Sequence, residues 1–443
     1  MSGAMEQRHG PGAVAPAEVL DVLRSSLLVD GFDLVLDLAR SHDRTLVDQR
    51  DGTEYLDMFG FFASSALGMN HPALADDPAF LAELTEAAIN KPSNSDVYTV
   101  AMARFVQTFT RVLGDPRLPH LFFVDGGALA VENALKVAFD WKSRRNEAAG
   151  RDPALGGRVM HLRHAFHGRS GYTMSLTNTD PIKVARYPKF DWPRIDSPAV
   201  ESGTDVAAAE GSALEQARRA FVDHPHDIAC FVAEPIQGEG GDRHLRAEFL
   251  QAMAALCADN DALFVLDEVQ TGAGMTGTAW AYQQLGLEPD VVAFGKKTQV
   301  CGVMAGGRVD DIADNVFHVS SRINSTWGGN LTDMVRARRI LEVIERDRLI
   351  DRARLLGSQL LADLTALAAR HDGLSDPRGR GLMCAITLDT PRRRDDVVTA
   401  LREREHVLCL GTGDRGIRFR PPLTVTASEL STAVAALDRV LTT

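Results

Sequence analysis

The apolar residues of this chain gather in short unbroken runs separated by stretches with helical spacing. The runs are His120–Val124, Val159–Leu162, Ile228–Glu234, Leu263–Asp267 and Val291–Phe294. They are rich in Val, Ile, Leu and Phe and do not alternate with polar residues, the pattern of strands buried on both faces. Their alternation with helical stretches over roughly 76–325 predicts a parallel sheet covered by helices, an α/β fold. Upstream, the pattern predicts a helix over Ala17–Ser25, strand-like pieces over Leu34–Asp37 and Thr45–Asp48, and an apolar piece over Tyr55–Phe62. Downstream of Thr332 a long helix runs through Ile344. Strands then follow over Leu382–Leu388 and Ile417–Phe419, and a closing helix over Ser428–Leu441. The expected division is a loose Gly/Ala/Pro-rich tail over 1–16, a large domain over 76–325, and a smaller α+β domain built from 17–75 and 326–443.

Two of the runs end on residues with chemistry. Asp267 closes Ala262–Asp267, and Lys296 follows Val291–Gly295. Both therefore sit at strand carboxyl ends, where open α/β sheets bind ligands. A carboxylate and an amine converging there suit pyridoxal 5′-phosphate. The amine forms a Schiff base with the aldehyde, and the carboxylate keeps the pyridine nitrogen protonated so that the ring draws in electrons. On these two residues alone, a buried ion pair explains the pattern equally well.

Composition narrows the field. The chain has 443 residues, 24% charged and 45% hydrophobic, as in ordinary globular enzymes. Lys+Arg 48 against Asp+Glu 60 gives a net charge of -12, which argues against nucleic-acid binding. The cysteines, at 230, 257, 301, 384 and 409, lack metal-ligand spacing, and no metal is expected. No stretch is long and apolar enough to span a membrane, and no signal core opens the chain. A cytoplasmic protein is the expectation.

Other motifs lie at strand exits. Asp125-Gly126-Gly127-Ala128 follows a strand and opens a helix, so small residues expose backbone N–H groups where a phosphate can sit. Phe166-His167-Gly168-Arg169 offers an aromatic to stack on a flat ring and a guanidinium for a carboxylate. Glu234-Pro235 and the glycines after it fix an irregular loop carrying Glu234 and Glu239. Asp267-Glu268 also fits a Walker B element, but no G-x-x-x-x-G-K-[ST] accompanies it. Gly411–Gly416 fits G-x-G-x-x-G, yet it leads into a strand and is read as a loop.

In this order, together with Gly295-Lys296, Thr326-Trp327-Gly328-Gly329-Asn330, Arg378-Gly379-Arg380-Gly381 and Arg418-Phe419-Arg420-Pro421-Pro422, the motifs resemble the class III pyridoxal-phosphate aminotransferases of fold type I. The resemblance covers nearly the whole chain. It implies that Gly127 and Ala128 hold the phosphate, Phe166 stacks on the ring, Asp267 pairs with its nitrogen and Gln270 contacts its phenolic oxygen. It implies that Lys296, rather than its neighbour Lys297, carries the cofactor and shuttles the proton. Thr326 would reach the phosphate of a neighbouring subunit, making the active unit a homodimer. Two positions depart from the family: Gly126 stands in place of a hydroxyl residue, and Leu129 in place of Glu.

Within the family, Phe294–Gly302 and Lys91–Asp96 are most similar to the actinobacterial L-lysine 6-aminotransferases. The implied reaction moves the terminal amine of L-lysine to 2-oxoglutarate. Ornithine, acetylornithine and 4-aminobutyrate aminotransferases share the broader motifs. Mutases and decarboxylases share the fold and the lysine. 2-Oxoglutarate brings a carboxylate beside its reacting carbon and lysine brings only methylenes. Arg418 suits the first, and stranding it during lysine binding costs about 3–5 kcal/mol. Glu239 would pair with Arg418 for lysine and swing away for 2-oxoglutarate. Arg169 would hold the distal carboxylate of either substrate, with Asn324 orienting that end.

Overall fold

The computed structural model describes residues 14–442, so most of the tail expected over 1–16 lies outside the described residues. The first regular elements are a short helix, Val19–Arg24, and the antiparallel pair β1 (Thr45–Val47) and β2 (Glu54–Asp57). The central sheet begins with β3 (His120–Val124), β4 (Arg158–Leu162), β5 (Arg194–Ile195) and β6 (Ile228–Ala233). A small hairpin, β7 (Ile236–Gln237) with β8 (Arg243–His244), interrupts the sequence. The sheet is completed by β9 (Leu263–Asp267), β10 (Val291–Phe294) and β11 (Cys301–Ala305), in the spatial order β3-β11-β10-β9-β6-β4-β5. All five expected runs are strands of this sheet.

The sheet is parallel except for β11, which runs against both β10 and β3. The buried strands divide their residues between two layers, as a period of two requires. Phe231, Phe264 and Phe294 join Phe249 and Met253 of the helix Ala247–Asp259. On the other face Val232, Val265 and Ala293 join Val131 and Leu135 of the helix Gly127–Ala148. No helix among the described residues is long and apolar enough to cross a membrane.

The remaining strands are β12 (Leu374–Arg380), β13 (Met383–Leu388), β14 (Val407–Leu408), β15 (Leu410–Thr412) and β16 (Gly416–Phe419). Four of them form an antiparallel sheet in the order β12-β13-β16-β15, while β14 pairs parallel with β2. The two chain ends thus share one three-stranded sheet. The expected long helix is two, Leu331–Arg346 and Leu349–Ala368, broken at Arg348, whose φ of 52° is left-handed. The expected strand at Leu34–Asp37 is reduced to a single bridge, Leu36 to Asp48. The Gly411–Gly416 segment is a hairpin connection between β15 and β16 rather than a free loop.

The piece expected over Tyr55–Phe62 stops being a strand at Asp57. There the Asp57 carboxylate accepts the Phe59 and Gly60 N–H groups, at 2.9 and 2.6 Å, and bends the chain. Gly60, Phe61, Phe62 and Ala63 then all adopt positive φ, from 49° to 69°, a left-handed turn. For residues with a Cβ this costs roughly 1–2 kcal/mol each. Glycine is required at position 60, where a Cβ would lie 2.1 Å from the Arg420 carbonyl oxygen. The turn is strapped from behind: Lys297 Nζ donates to the Ala63 carbonyl at 2.6 Å and Gln299 Nε2 to that of Ser64 at 3.0 Å.

Candidate active site

Three adjacent strands, β4, β6 and β9, end side by side and deliver His167, Glu234 and Asp267 to one place. Asp267 is 5% exposed. One oxygen accepts the Val269 N–H at 3.0 Å, and the other lies 2.8 Å from His167 Nδ1, where the ring N–H donates to the carboxylate. Burial alone would deprotonate His167. The bond to Asp267 and the charges of Asp267 and Glu234 outweigh it and raise its pKa. Glu234 is turned away from the solvent: it accepts the Phe166 N–H at 3.0 Å and the Gly238 N–H at 3.1 Å. Burial, reinforced by Asp267, pushes its carboxyl up to about 7 against the pull of His167.

Lys296 follows β10 with a φ of 55°, a conformation that non-glycine residues avoid and that clusters at functional sites. It lines a cavity of about 390 Å³ together with Asp267 and Glu234. Burial first, then Arg418, lowers its amine to about 8 despite the nearby carboxylates. Lys297 is 2% exposed, does not line the cavity and is spent on the Ala63 carbonyl.

Gly127, Ala128, Phe166, Arg169, Glu239 and Gln270 line the same cavity. The helix Gly127–Ala148 has no side-chain cap at its N-terminus, so its first N–H groups are unclaimed by the protein at the cavity wall. Gly126 has a φ of 111°, with open space where a Cβ would stand. Any side chain there would be strained, which is a physical reason for glycine at this departure from the family pattern. Gln270 Oε1 accepts from Arg420 Nε at 3.2 Å, leaving its Nε2–H groups to point elsewhere. An uncapped helix N-terminus, a pliable amine and a buried carboxylate around one cavity fit pyridoxal phosphate: an anion seat, an aldehyde partner and a ring-nitrogen partner.

At the cavity's edge Glu239 and Arg418 meet as expected. Arg418 Nη2 donates to Glu239 Oε2 at 3.0 Å, and the Arg418 side chain is 4% exposed. The ring of Phe62, on the left-handed turn, lies 5.8 Å from the Arg418 guanidinium. Arg169 is exposed at the rim. Asn324 and Thr326 are not brought into this cavity. Both are exposed on the segment before the helix Leu331–Arg346, and Asn324 Oδ1 accepts the Ser325 N–H.

Sequence reasoning missed four participants. His167 stood beside Phe166, but its pairing with Asp267 depends on the order of the strands in the sheet. Lys183 Nζ donates to Glu239 Oε1 at 2.7 Å across a separation that no motif spans. Arg420 and Asp242 form an ion pair that is 1% and 2% exposed. This pair ties β16 to the loop carrying Glu239, and Arg378 seconds it by donating to the Gly241 and Asp242 carbonyls. Asp242→Ala should cost about 3–5 kcal/mol, because it leaves the Arg420 charge buried without a counter-ion. Urea denaturation of this variant and of Asp242→Leu with Arg420→Met checks it. The double change, which removes both charges, should recover most of the loss, and equal losses would contradict the assignment.

The family model of class III aminotransferases matches residues 30–441. The chain belongs to this family of pyridoxal-phosphate-dependent enzymes. Among its relatives, the L-lysine-epsilon aminotransferase of Mycobacterium tuberculosis is 66% identical over 430 residues, covering 96% of each chain. That of Amycolatopsis lactamdurans is 60% identical, covering 96% of this chain and 97% of its own. A solved structure, described as lysine aminotransferase from M. tuberculosis in the internal aldimine form, superposes with a TM-score of 0.96 at 66% identity, covering 97% of this chain and 99% of that one.

Proposed function

We propose that this enzyme transfers the ε-amino group of L-lysine to 2-oxoglutarate, giving 2-amino-6-oxohexanoate, which cyclises, and L-glutamate. The observation that carries the reading is the Glu239–Arg418 pair at the cavity edge. A cation that can be masked and unmasked serves a site that alternates between a substrate with a carboxylate beside its reacting carbon and one without. High identity to L-lysine-epsilon aminotransferases supports lysine over ornithine, acetylornithine or 4-aminobutyrate as the donor.

When bound, pyridoxal phosphate supplies an aldehyde that exchanges amines and a protonated ring that accepts electron density. The residues divide the remaining work. Lys296 holds the cofactor covalently and then carries a proton between the two reacting carbons. Asp267, oriented by His167, keeps a proton on the ring nitrogen. Gln270 offers an Nε2–H to the phenolic oxygen, its own oxygen being taken by Arg420. Gly127 and Ala128 donate to the phosphate, and Phe166 lies against the ring. Arg169, at the rim, takes the distal carboxylate that both substrates share. Thr326 acts on the phosphate in the site of a second copy, in a homodimer, and the enzyme works in the cytoplasm.

Product analysis tests the reading. Incubation with L-lysine and 2-oxoglutarate should yield glutamate and piperideine-6-carboxylate in equal amounts. Amine transfer only from ornithine or 4-aminobutyrate would favour those activities, and turnover without an oxo acid would favour a mutase or decarboxylase. Glu239→Gln should impair the lysine half-reaction at least about tenfold more than the glutamate half-reaction, since it strands Arg418 only when lysine occupies the site. Single-turnover bleaching of the cofactor with each donor alone measures this, and equal losses would make the loop merely structural.

A further inference from the structure

The carboxylate of Glu239 is divided between two cations. Arg418 Nη2 donates to one oxygen at 3.0 Å and Lys183 Nζ to the other at 2.7 Å. The two cations lie on opposite sides. The Arg418 side chain is 4% exposed and that of Lys183 25% exposed, with Glu239 at 28% between them. Glu239 lines both the cofactor cavity and a second, outer cavity of about 570 Å³; of these two Lys183 lines the outer one, and it also lines a third, of about 490 Å³, with Arg169. The other cation of the outer cavity, Arg394, is already engaged by Asp395 at 2.7 Å and by the Gly413 carbonyl at 3.2 Å. Lys183 is held in place by the turn Pro181–Lys183, where Asp180 accepts the Ile182 N–H at 2.9 Å. Its Nζ also stands 5.6 Å from the centroid of the Phe166 ring.

We propose that Lys183 is the outer anchor of Glu239: it keeps hold of the carboxylate when Glu239 leaves Arg418, and so sets how readily the site opens to a dicarboxylate. This rests on the reading of Glu239 and Arg418 given above. The argument is differential. With Glu239 inward, its charge is already met by Arg418, and a second cation adds little. With Glu239 outward, Lys183 is its available partner, and a charge-assisted bond there decides whether the outward position is populated. Lys183 is therefore a positioning residue that acts through Glu239. Burial works against the Glu239 charge, yet Arg418 and Lys183 hold its carboxyl down at about 2, so it is an anion in this arrangement.

The test uses the holoenzyme, Lys183→Met, Lys183→Arg and glutarate, a dicarboxylate that binds without reacting. Lys183→Met should weaken glutarate binding by calorimetry, and slow the glutamate half-reaction, by about tenfold, while the lysine half-reaction changes by less than about twofold. Lys183→Arg should restore most of both. In a Glu239→Gln background, Lys183→Met should have no further effect on glutarate, because there is no anion left to anchor. Three results would overturn the proposal. Equal losses with lysine and glutamate would mean that Lys183 reads their common distal carboxylate. An unchanged glutarate affinity would mean that the anchor is idle. The same loss in the Glu239→Gln background would mean that Lys183 acts on the ligand itself. An unmodified enzyme inert to lysine would refute the substrate reading instead, while the glutarate comparison would still decide on Lys183.

Discussion

Lys296→Ala is expected to lose turnover by about four or more orders of magnitude, because in the proposed reading this amine both holds the cofactor and moves the proton. Lys297→Ala should retain covalent cofactor capture but lose stability, since its amine straps the left-handed turn at Ala63. Borohydride trapping followed by mass analysis distinguishes the two, and a trapped adduct in Lys296→Ala would contradict the assignment. The pH dependence has a definite sign. Only the neutral amine attacks an aldehyde, and burial together with Arg418 lowers Lys296 to about 8. About one tenth of it is then neutral at pH 7, against well under one thousandth of an ordinary lysine. Capture of cofactor by the apoprotein should therefore speed up about tenfold per pH unit below 8 and level off above it. A rise continuing beyond pH 10 would show that the amine is unperturbed.

Asp267→Ala should cost about three to four orders of magnitude in turnover while leaving the cofactor bound through its phosphate end. The carboxylate already accepts from His167 Nδ1, and in the proposed reading it would also meet the ring nitrogen. Asp267→Asn keeps the shape but loses the charge, so it should be nearly as impaired. His167→Asn, which leaves Asp267 charged but removes its partner, should be intermediate. The cofactor's absorbance reports occupancy separately from rate. Wild-type rates in Asp267→Ala would sink the role given to the carboxylate.

The parts of this molecule that were legible in the sequence are those in which chemistry sits at the end of a buried run. Asp267 and Lys296 stood out because each ends or follows an unbroken apolar run, and the motifs at the other strand exits then favoured chemistry over a buried ion pair. The five runs became strands because their pattern leaves no alternative face to expose. Strand β11 was hidden because Cys301–Ala305 contains a glycine and follows the lysine so closely that it reads as loop. Strand β12 was hidden because it is an edge strand containing Pro377, with a register shift between Ser375 and Arg378. The turn at Gly60–Ala63 was illegible for another reason: three of its four residues are poor candidates for positive φ, and contacts from Asp57, Lys297 and Gln299 hold them there. The ion pairs of Lys183 and Arg420 likewise depend on distant segments meeting, which no local pattern encodes.

The pairing of β2 with β14 bears on how the chain can be made. Leu56 and Asp57 wait for Val407 and Leu408, and Gly60 packs against a carbonyl at residue 420. Contacts of such sequence separation form late and slowly. As the chain leaves the ribosome, the helix-covered sheet can assemble from its own segments while β2, paired with β1, still lacks its parallel partner β14. Arg418 and Arg420 emerge later still, so the masked cation and the loop that masks it come together only after residue 420 has been made. A nascent chain stopped before residue 407 would carry Lys296 and Asp267 at the carboxyl ends of a finished sheet yet lack the Arg418 that meets Glu239 at the cavity edge. The cavity wall, drawn from residues 127–301, can thus form before the arginine at its edge arrives, and the pairing of Glu239 with Arg418 is tied to the folding of β16.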